Sequence, residues 1–291
     1  MKQFAFITSL LCYSVFSFGQ VVNDDLSFFN YSYDKDIIKS NKVETVTIEM
    51  MLPGGKKSNK AIYHFDNEGL LDKQSTQDEK GNVLREFYFS HNSNNDLILR
   101  IGKDYENKRT DTVRYFKYYE NNKLIRDSSS EMPVSYTYVY NVNGKLFRAV
   151  TRSNFGPGSN TKRVMVNKFD DSGRIVNIVE TVFQNENDLT GTIFSDRDIS
   201  YNNKGKIEKE AEKLNGKYSW MANKGTINYV YDSNGYLTQV LRTNAASYTY
   251  TYNSSGLIVT KKMNLKIAPD GIDDKGMDVD TFDKYIYTFR K

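Results

Sequence analysis

Residue types that carry much of protein chemistry are scarce in this chain. It has one cysteine, Cys12, and two histidines among 291 residues. A single cysteine excludes an internal disulfide framework, and a zinc site needs three or four clustered ligands. A Ser-His-Asp triad would have to use His64 or His91, and neither lies near a Gly-x-Ser-x-Gly turn. The sequence therefore predicts no catalytic residue, no metal ligand and no cofactor site.

Blocks of one charge and long apolar runs are also missing. Lys and Arg number 40 against 36 Asp and Glu, and the basic residues occur singly or in pairs. Nucleic-acid binding requires several aligned cations, so no nucleic-acid partner is expected. Beyond residue 19, no stretch approaches the ~20 apolar residues of a transmembrane helix, so no transmembrane span is expected. Only four prolines occur in the chain, which leaves no proline-rich linker.

The N-terminus has the pattern of a secretory signal peptide. Lys2 supplies one positive charge, residues 4–18 are uncharged and mostly apolar, and Gly19 precedes the expected cut. Cys12 lies in the middle of this run, after two leucines, which argues against a lipoprotein anchor. We predict a signal peptide at 1–19, an N-terminal extension at 20–42 and a repeat domain at 43–291.

Cleavage at that point would remove the only cysteine. Secreted eukaryotic proteins of this size usually carry disulfides, so their absence indicates a bacterial protein. The expected location is the periplasm, the outer surface or the extracellular space.

One sequence pattern, called the frame below, recurs along the chain. It consists of an aromatic residue, Asp or Asn, two variable residues, Gly, one variable residue, and Leu or Ile. Its glycines are Gly69, Gly144, Gly173, Gly205, Gly235 and Gly256, and Gln77–Val83 is a copy without the aromatic residue. Such self-similarity is the sequence signature of a repeat architecture.

Turn geometry explains the polar positions of the frame. The Asp or Asn side chain can accept a hydrogen bond from the backbone two residues on, and Gly adopts the left-handed conformation that a Cβ disfavours. A type I turn followed by a glycine bulge joins two antiparallel strands. At Asn121-Asn122 we expect a tighter hairpin, since Asn also tolerates positive φ. We expect His91–Asp96 to be a longer polar loop in the same role.

The segments between the turns alternate strictly. Tyr136–Tyr140, Ile227–Tyr231, Tyr248–Tyr252 and Tyr285–Phe289 each place aromatic or apolar residues on one face. By the same alternation, His64 faces away from Tyr63 and Phe65. Asp36–Ser40 could form a short helix. Ile207–Leu214, the segment rich in Glu, Lys and Ala, is interpreted as a strand with a charged exposed face.

The frame resembles the YD repeat of the Rhs-like proteins, over residues 43–291 in about eight copies. In large members such repeats form a β-strip that spirals into a hollow shell around a toxin. This chain has too few copies for a complete shell, and no recognisable self-cleavage core or C-terminal toxin domain. It looks like the short exported members found in Bacteroidetes-type bacteria.

The resemblance implies an all-β fold. Antiparallel hairpin repeats would form a curled, extended sheet, either a β-strip or an open half-barrel. An outer-membrane barrel would need an apolar outward face, whereas these strands alternate aromatic residues with Thr, Lys and Asn.

Two sets of aspartates are candidates for a site. Asp270–Asp280 contains five aspartates and two glycines and could wrap calcium, which takes six to eight oxygen ligands, although its spacing does not fit an EF-hand. A solvated hairpin loop is the simpler interpretation. Asp66, Asp170 and Asp232 are explained as turn caps rather than as members of a glycosidase carboxylate pair.

Tyrosine is abundant, at 22 residues. A tyrosine face could stack against sugar rings or an extended peptide. Packing of the rings in a concave core is favoured, because they recur together with the turn. Trp220 stands outside the frame and would be a candidate binding residue if it were exposed.

These features favour a non-enzymatic secreted or cell-envelope repeat protein. Its β-surface would bind or scaffold a partner, an unknown protein or glycan at the cell surface. The alternatives are a component or remnant of an Rhs-like toxin system and, less favoured, a carbohydrate-active enzyme that uses two aspartates.

Overall fold

A computed structural model describes residues 35–51, 57–130, 134–154, 160–184, 188–214, 225–242, 247–267 and 277–290. In this part of the chain one short helix precedes eighteen antiparallel strands that form a single sheet. No helix there is long and apolar enough to cross a membrane. The signal peptide predicted at 1–19 lies outside the described residues.

The helix is α1 (Lys35–Ser40). The strands are β1 (Val43–Met51), β2 (Lys57–Phe65), β3 (Leu71–Gln77), β4 (Val83–His91), β5 (Leu97–Asp104), β6 (Arg109–Glu120), β7 (Lys123–Ser129), β8 (Val134–Tyr140), β9 (Leu146–Asn154), β10 (Asn160–Phe169), β11 (Ile175–Phe183), β12 (Thr192–Tyr201), β13 (Ile207–Leu214), β14 (Gly225–Tyr231), β15 (Leu237–Arg242), β16 (Ser247–Tyr252), β17 (Ile258–Ile267) and β18 (Met277–Phe289). The expected all-β fold, the short helix and the strand at Ile207–Leu214 are confirmed.

The sheet is closed, so the expectation of an open curled sheet is wrong. Each strand pairs with the next, and β18 returns to pair with β1 from Val43↔Phe289 to Met51↔Phe282. Closure removes both free edges, whose unpaired N–H and C=O groups would otherwise invite association with other chains. The hairpins therefore form a barrel of eighteen strands.

The two ends of the barrel differ. Eight short turns lie at one end, here called the turn rim: residues 66–70, 92–96, 121–122, 141–145, 170–174, 202–206, 232–236 and 253–257. The copy of the frame at Gln77–Val83 lies at the opposite end, here called the loop rim. The strand ends that flank segments 215–224 and 268–276 also lie at the loop rim.

The frame turns have the predicted geometry. In the β2–β3 turn, Asp66 Oδ1 accepts hydrogen bonds from the N–H groups of Glu68 (2.9 Å) and Leu70 (2.8 Å). The Gly69 N–H donates to the Asp66 carbonyl with φ of 77° at Gly69, and the strand register shifts beside the turn. The same glycine-bulge turn recurs wherever the frame meets the turn rim.

Two turns use asparagine in place of glycine. Asn121 and Asn122 adopt φ of 49° and 60°, which confirms the tight hairpin predicted there. The prediction of a longer loop at His91–Asp96 is wrong, because Asn95 takes the glycine position with φ of 65° in a turn of the usual length. His91 is the last residue of β4 and occupies the aromatic position of this copy.

Successive side chains of a strand point alternately into and out of the barrel, which gives it an inner and an outer face. Val46 points inward, and so do Tyr63 and Tyr287, which are paired with it on the two neighbouring strands. Residues that share this orientation are said below to have inward parity. The outer face carries ion pairs, including Lys73 with Glu86 at 2.6 Å. Exposed apolar side chains, among them Phe116, Val139 and Ile286, share this outer face.

Helix α1 closes part of the turn rim. Ile38 is buried in the same cluster as Val43 and Leu71. At Gly69 an added Cβ would lie 2.6 Å from the Lys35 carbonyl oxygen, so the glycine allows the helix backbone to approach the turn closely. Residues 35–42, although predicted as part of a polar extension, therefore contribute to the core.

Candidate functional site

Successive hairpins are joined at the turn rim by tyrosine hydroxyl groups. The backbone pairing between hairpins stops about two residues short of the frame Leu or Ile, for example at Lys209↔Asn228 between β13 and β14. The Tyr231 hydroxyl crosses this gap and donates to the Ile207 carbonyl at 2.9 Å. The same bond joins Tyr140 to Leu124, Tyr201 to Ile175, Tyr252 to Leu237 and Tyr287 to Ile258. The frame tyrosine therefore satisfies a carbonyl that the sheet leaves unpaired.

At the joint between β9 and β10, an asparagine supplies this hydrogen bond in place of a tyrosine. The frame that ends β10 has Phe169, which lacks a hydroxyl. Asn167, buried two residues earlier on the same strand face, donates its side-chain N–H to the Leu146 carbonyl at 2.9 Å. The hydrogen bond to the preceding hairpin is thus retained although the tyrosine is not.

The variable residue after the frame glycine also reaches the next hairpin. The ammonium groups of Lys145 and Lys206 donate to the carbonyls of Gly173 and Gly235. The guanidinium of Arg174 lies 4.7 Å from the centre of the Tyr201 ring. A cation in this position therefore fills the rim side of the joint, and sequence reasoning missed this role.

The inner face is tightly packed from β14 through β18 to β2. Tyr229, Tyr250, Tyr285 and Tyr63 are all buried there, with Val240 among them. Aromatic packing of the interior, as expected from the sequence, is confirmed for this half of the barrel, here called the packed half.

Buried ionisable groups adjoin the packed half. Glu210 is 1% exposed, accepts a hydrogen bond from the Tyr229 hydroxyl at 2.6 Å, and has Arg197 at 3.8 Å. Burial raises the pKa of Glu210. Between β17 and β18, burial likewise lowers the pKa of Lys261 and raises that of Asp283, which face each other in register. Glu210 is enclosed by protein and Lys261 and Asp283 are part-buried, so we interpret all three as structural.

The inner face of β4, β6 and β8 is less filled. Phe87, Tyr115, Tyr136 and Tyr138 have the inward parity of Tyr63 but remain part-exposed. At the turn rim of this half, Tyr119 is 42% exposed, with its hydroxyl donating to Asp96. We call Phe87, Tyr115, Tyr136 and Tyr138 the lumen rings, because solvent reaches them although they point into the barrel.

Charged groups surround the lumen rings. The Arg100 guanidinium lies 5.3 Å from the centre of the Phe87 ring and 3.4 Å from Asp111. On the next hairpin the Tyr138 hydroxyl donates to Asp127 at 3.1 Å. Exposed rings beside charged groups can hold a ligand that has both apolar and polar surfaces.

A separate groove of about 570 Å³ opens at the turn rim between β15 and β16. Its walls are formed by Asp232, Asn234, Tyr236 and Thr238 on one side and by residues 250–254 on the other. The rings of Tyr236 and Tyr252 stack across it at 4.9 Å between centres.

The residues considered from the sequence fall in separate places. His64 lies on the outer face, as predicted, opposite Thr45. His91 is part-buried, and burial lowers its pKa. Asp66 and Asp170 cap their own turns. Within the described part of the chain, no three His, Cys, Asp or Glu side chains cluster as metal ligands.

Two predicted features cannot be placed. Trp220 and residues 268–276 lie outside the described residues. Of the remainder of Asp270–Asp280, residues 277–280 belong to β18. Calcium binding by the acidic segment therefore stays a hypothesis, and so does a binding role for Trp220, which depends on its exposure.

Comparison with known proteins gives weak structural similarity alone. No protein-family model and no curated protein matches the sequence. A porin-like protein from Bacteroides uniformis is similar over 84% of this chain and 98% of its own, at 11% identity and a TM-score of 0.45. The Photorhabdus luminescens Tc holotoxin pore is similar over 76% of this chain and 16% of its own, at 14% identity and a TM-score of 0.31. A TcdB2–TccC3 structure is similar over 76% and 16%, at 13% identity and 0.32. These scores are too low to assign a family or an activity.

Proposed function

We propose that the protein is a non-enzymatic protein of the cell envelope or extracellular space that binds a partner on the lumen rings. The observation that carries the proposal is their exposure. Four tyrosines of the same inward orientation, Tyr63, Tyr229, Tyr250 and Tyr285, are buried in the packed half, whereas Phe87, Tyr115, Tyr136 and Tyr138 are part-exposed inside a closed barrel. Exposed aromatic surface in a concave site is typical of ligand binding.

The experiment is site-specific photo-crosslinking in the producing cell, followed by fractionation. A benzophenone amino acid at position 136 places the probe among the lumen rings. The matched control is position 118 on β6, because Tyr118 is 51% exposed and points to the outer face. We expect an adduct from position 136 that position 118 does not give.

The identity of the crosslinked partner also distinguishes between the alternative functions. An adduct with a glycan or a surface protein supports the proposal. A single adduct with a toxin would favour the toxin-system alternative. Adducts at position 118 alone, or none at position 136, would overturn binding in the lumen.

A further inference from the structure

The sequence from Val134 to Phe169 contains no aspartate and no glutamate. It includes β8, β9 and β10, and its charged residues are all cations: Lys145, Arg148, Arg152, Lys162, Arg163 and Lys168. In the whole chain, by contrast, 40 Lys and Arg are nearly balanced by 36 Asp and Glu. Positive charge is therefore concentrated in one part of the barrel, although the basic residues occur singly or in pairs along the sequence.

The strand register gathers several of these cations on the outer face. Arg148, Arg152 and Lys162 share the outward orientation of Tyr118, and so does Arg126 on β7. Arg152 and Lys162 lie directly opposite each other on β9 and β10. Across the neighbouring strands the four residues are paired with serine, threonine, valine or aromatic residues, or with each other. We call Arg126, Arg148, Arg152 and Lys162 the basic face.

Apolar groups lie beside the cations of the basic face. The Arg126 guanidinium is 5.6 Å from the centre of the Tyr118 ring, and the Lys162 ammonium is 4.7 Å from that of Phe183. Phe116 and Val139 point outward on the same strands and are 43% and 44% exposed. Aromatic rings and long cationic side chains are the groups that concentrate at the boundary between water and the membrane interior.

The outer face of β18, β1 and β2 provides a contrast. Phe282 and Ile286 are exposed there to a similar extent, at 38% and 40%. The charges alternate in sign, because Glu49 is paired in register with Lys60 on one side and with Lys284 on the other. The basic face therefore differs from the rest of the outside in its charge rather than in its apolar exposure.

We infer that the basic face binds the surface of a membrane that contains anionic phospholipids. The four cations meet the headgroup phosphates, while Phe116 and Tyr118 enter the layer between the headgroups and the acyl chains. Nucleic acid fits this surface less well. Single strands are held in a groove with stacked bases, and the major groove of a duplex admits a helix or a two-stranded ribbon, whereas the outside of a closed barrel is broad and convex.

The test is co-sedimentation with vesicles of three parts phosphatidylcholine to one part phosphatidylglycerol, and with vesicles of phosphatidylcholine alone. The chain that begins at residue 20 is used, because the apolar residues 4–18 would themselves bind lipid. The test variant combines Arg126→Gln with Lys162→Gln. The control variant combines Lys60→Gln with Lys284→Gln, which removes the same net charge from the other outer face. Thermal unfolding followed by circular dichroism checks that both variants are folded.

We expect binding to the anionic vesicles that is lost at high salt, and little binding to phosphatidylcholine alone. Each cation near an anionic membrane strengthens binding about fivefold, so the test variant should bind tenfold or more weakly, and the control variant within twofold of the wild type. Failure to bind anionic vesicles, or equal weakening by both variants, would overturn the inference. Binding of a fluorescent single-stranded DNA without binding of vesicles would also overturn it. The lumen rings point to the opposite face of the sheet, so none of these results bears on the lumen proposal.

Discussion

At the residue scale, two glutamates show that surroundings decide what a side chain contributes. On the outer face Glu86 pairs with Lys73 at 2.6 Å and accepts hydrogen bonds from Tyr105 and Tyr88. The ion pair with Lys73 and these hydroxyls lower its pKa to about 2. Glu210, on the inner face, has a raised pKa because burial outweighs its bond with Tyr229. The two therefore contribute to stability with opposite dependence on pH.

Glu86→Gln should destabilise the protein in a pH-dependent way. Because the pKa of about 2 in the folded protein lies below the ordinary glutamate value of 4.5, the contribution of the carboxylate is present above pH ~4.5 and is lost as the pH falls towards 2. We expect a cost of about 2 kcal/mol at pH 7, typical of hydrogen bonds to a charged group. Urea unfolding across this range measures it, with the exposed Glu79→Gln as control. A difference in unfolding free energy between the wild type and Glu86→Gln that stays constant with pH would contradict the lowered pKa of Glu86.

At the element scale, the hairpin was predictable and the joint between hairpins was not. Asp66 and Gly69 act on backbone within four residues of themselves, so their roles follow from local geometry. The Tyr231 hydroxyl acts on Ile207, 24 residues earlier, and no local rule connects the two. The preference for Tyr at frame positions was the available signal, because packing alone would accept Phe equally well.

Removal of one joint hydroxyl should cost a modest amount of stability. Tyr231→Phe leaves the Ile207 carbonyl without its donor, and we expect a loss of about 1 kcal/mol. Tyr118→Phe is the control, since that ring lies on the outer face and is 51% exposed. The two variants are compared by urea unfolding. Equal stability of both would mean that the ring, and not the hydroxyl, is what the frame requires.

The burial of Glu210 could not be predicted from the sequence of its strand. Ile207–Leu214 carries charged residues on both faces, so its sequence does not show which face is inward. Only the register with β12 and β14 places Glu210 beside Ile199 and Ile227 inside the barrel. Burial of a charge in such a strand is set by its neighbours.

At the scale of the whole molecule, closure was the main feature that the sequence did not reveal. Repeated hairpins are compatible with an open strip, because each hairpin has the same neighbours in either form. The difference lies in one pairing, β1 with β18, between residues such as Thr45 and Thr288 that are 243 positions apart. Nothing in either segment specifies that partner locally.

A disulfide across the seam tests closure. The Thr45 and Thr288 hydroxyl oxygens lie 2.7 Å apart, so Thr45→Cys with Thr288→Cys should form a bond in oxidising buffer. The expected gain is about 4 kcal/mol from the long loop that is closed, measured by denaturant unfolding with and without reductant. The variants are made in the chain that begins at residue 20, which lacks Cys12.

The control pair lies within one hairpin. The hydroxyl oxygens of Thr251 and Thr260 are also 2.7 Å apart, and cysteines at these positions should crosslink whether the sheet is open or closed. Crosslinking of the control pair without the seam pair would show that the sheet is open.

The seam has one further consequence. The Arg290 N–H donates to the Lys42 carbonyl at 2.9 Å, and the Arg290 guanidinium bonds to the carbonyls of Phe65 and Asp66. The last strand therefore ends where the first begins, and the ring of strand pairings has no gap at this point. A circular permutant that joins these ends and opens at the exposed Gly205 turn keeps every strand pairing. The order of the hairpins along the chain is thus not required for the structure that they form.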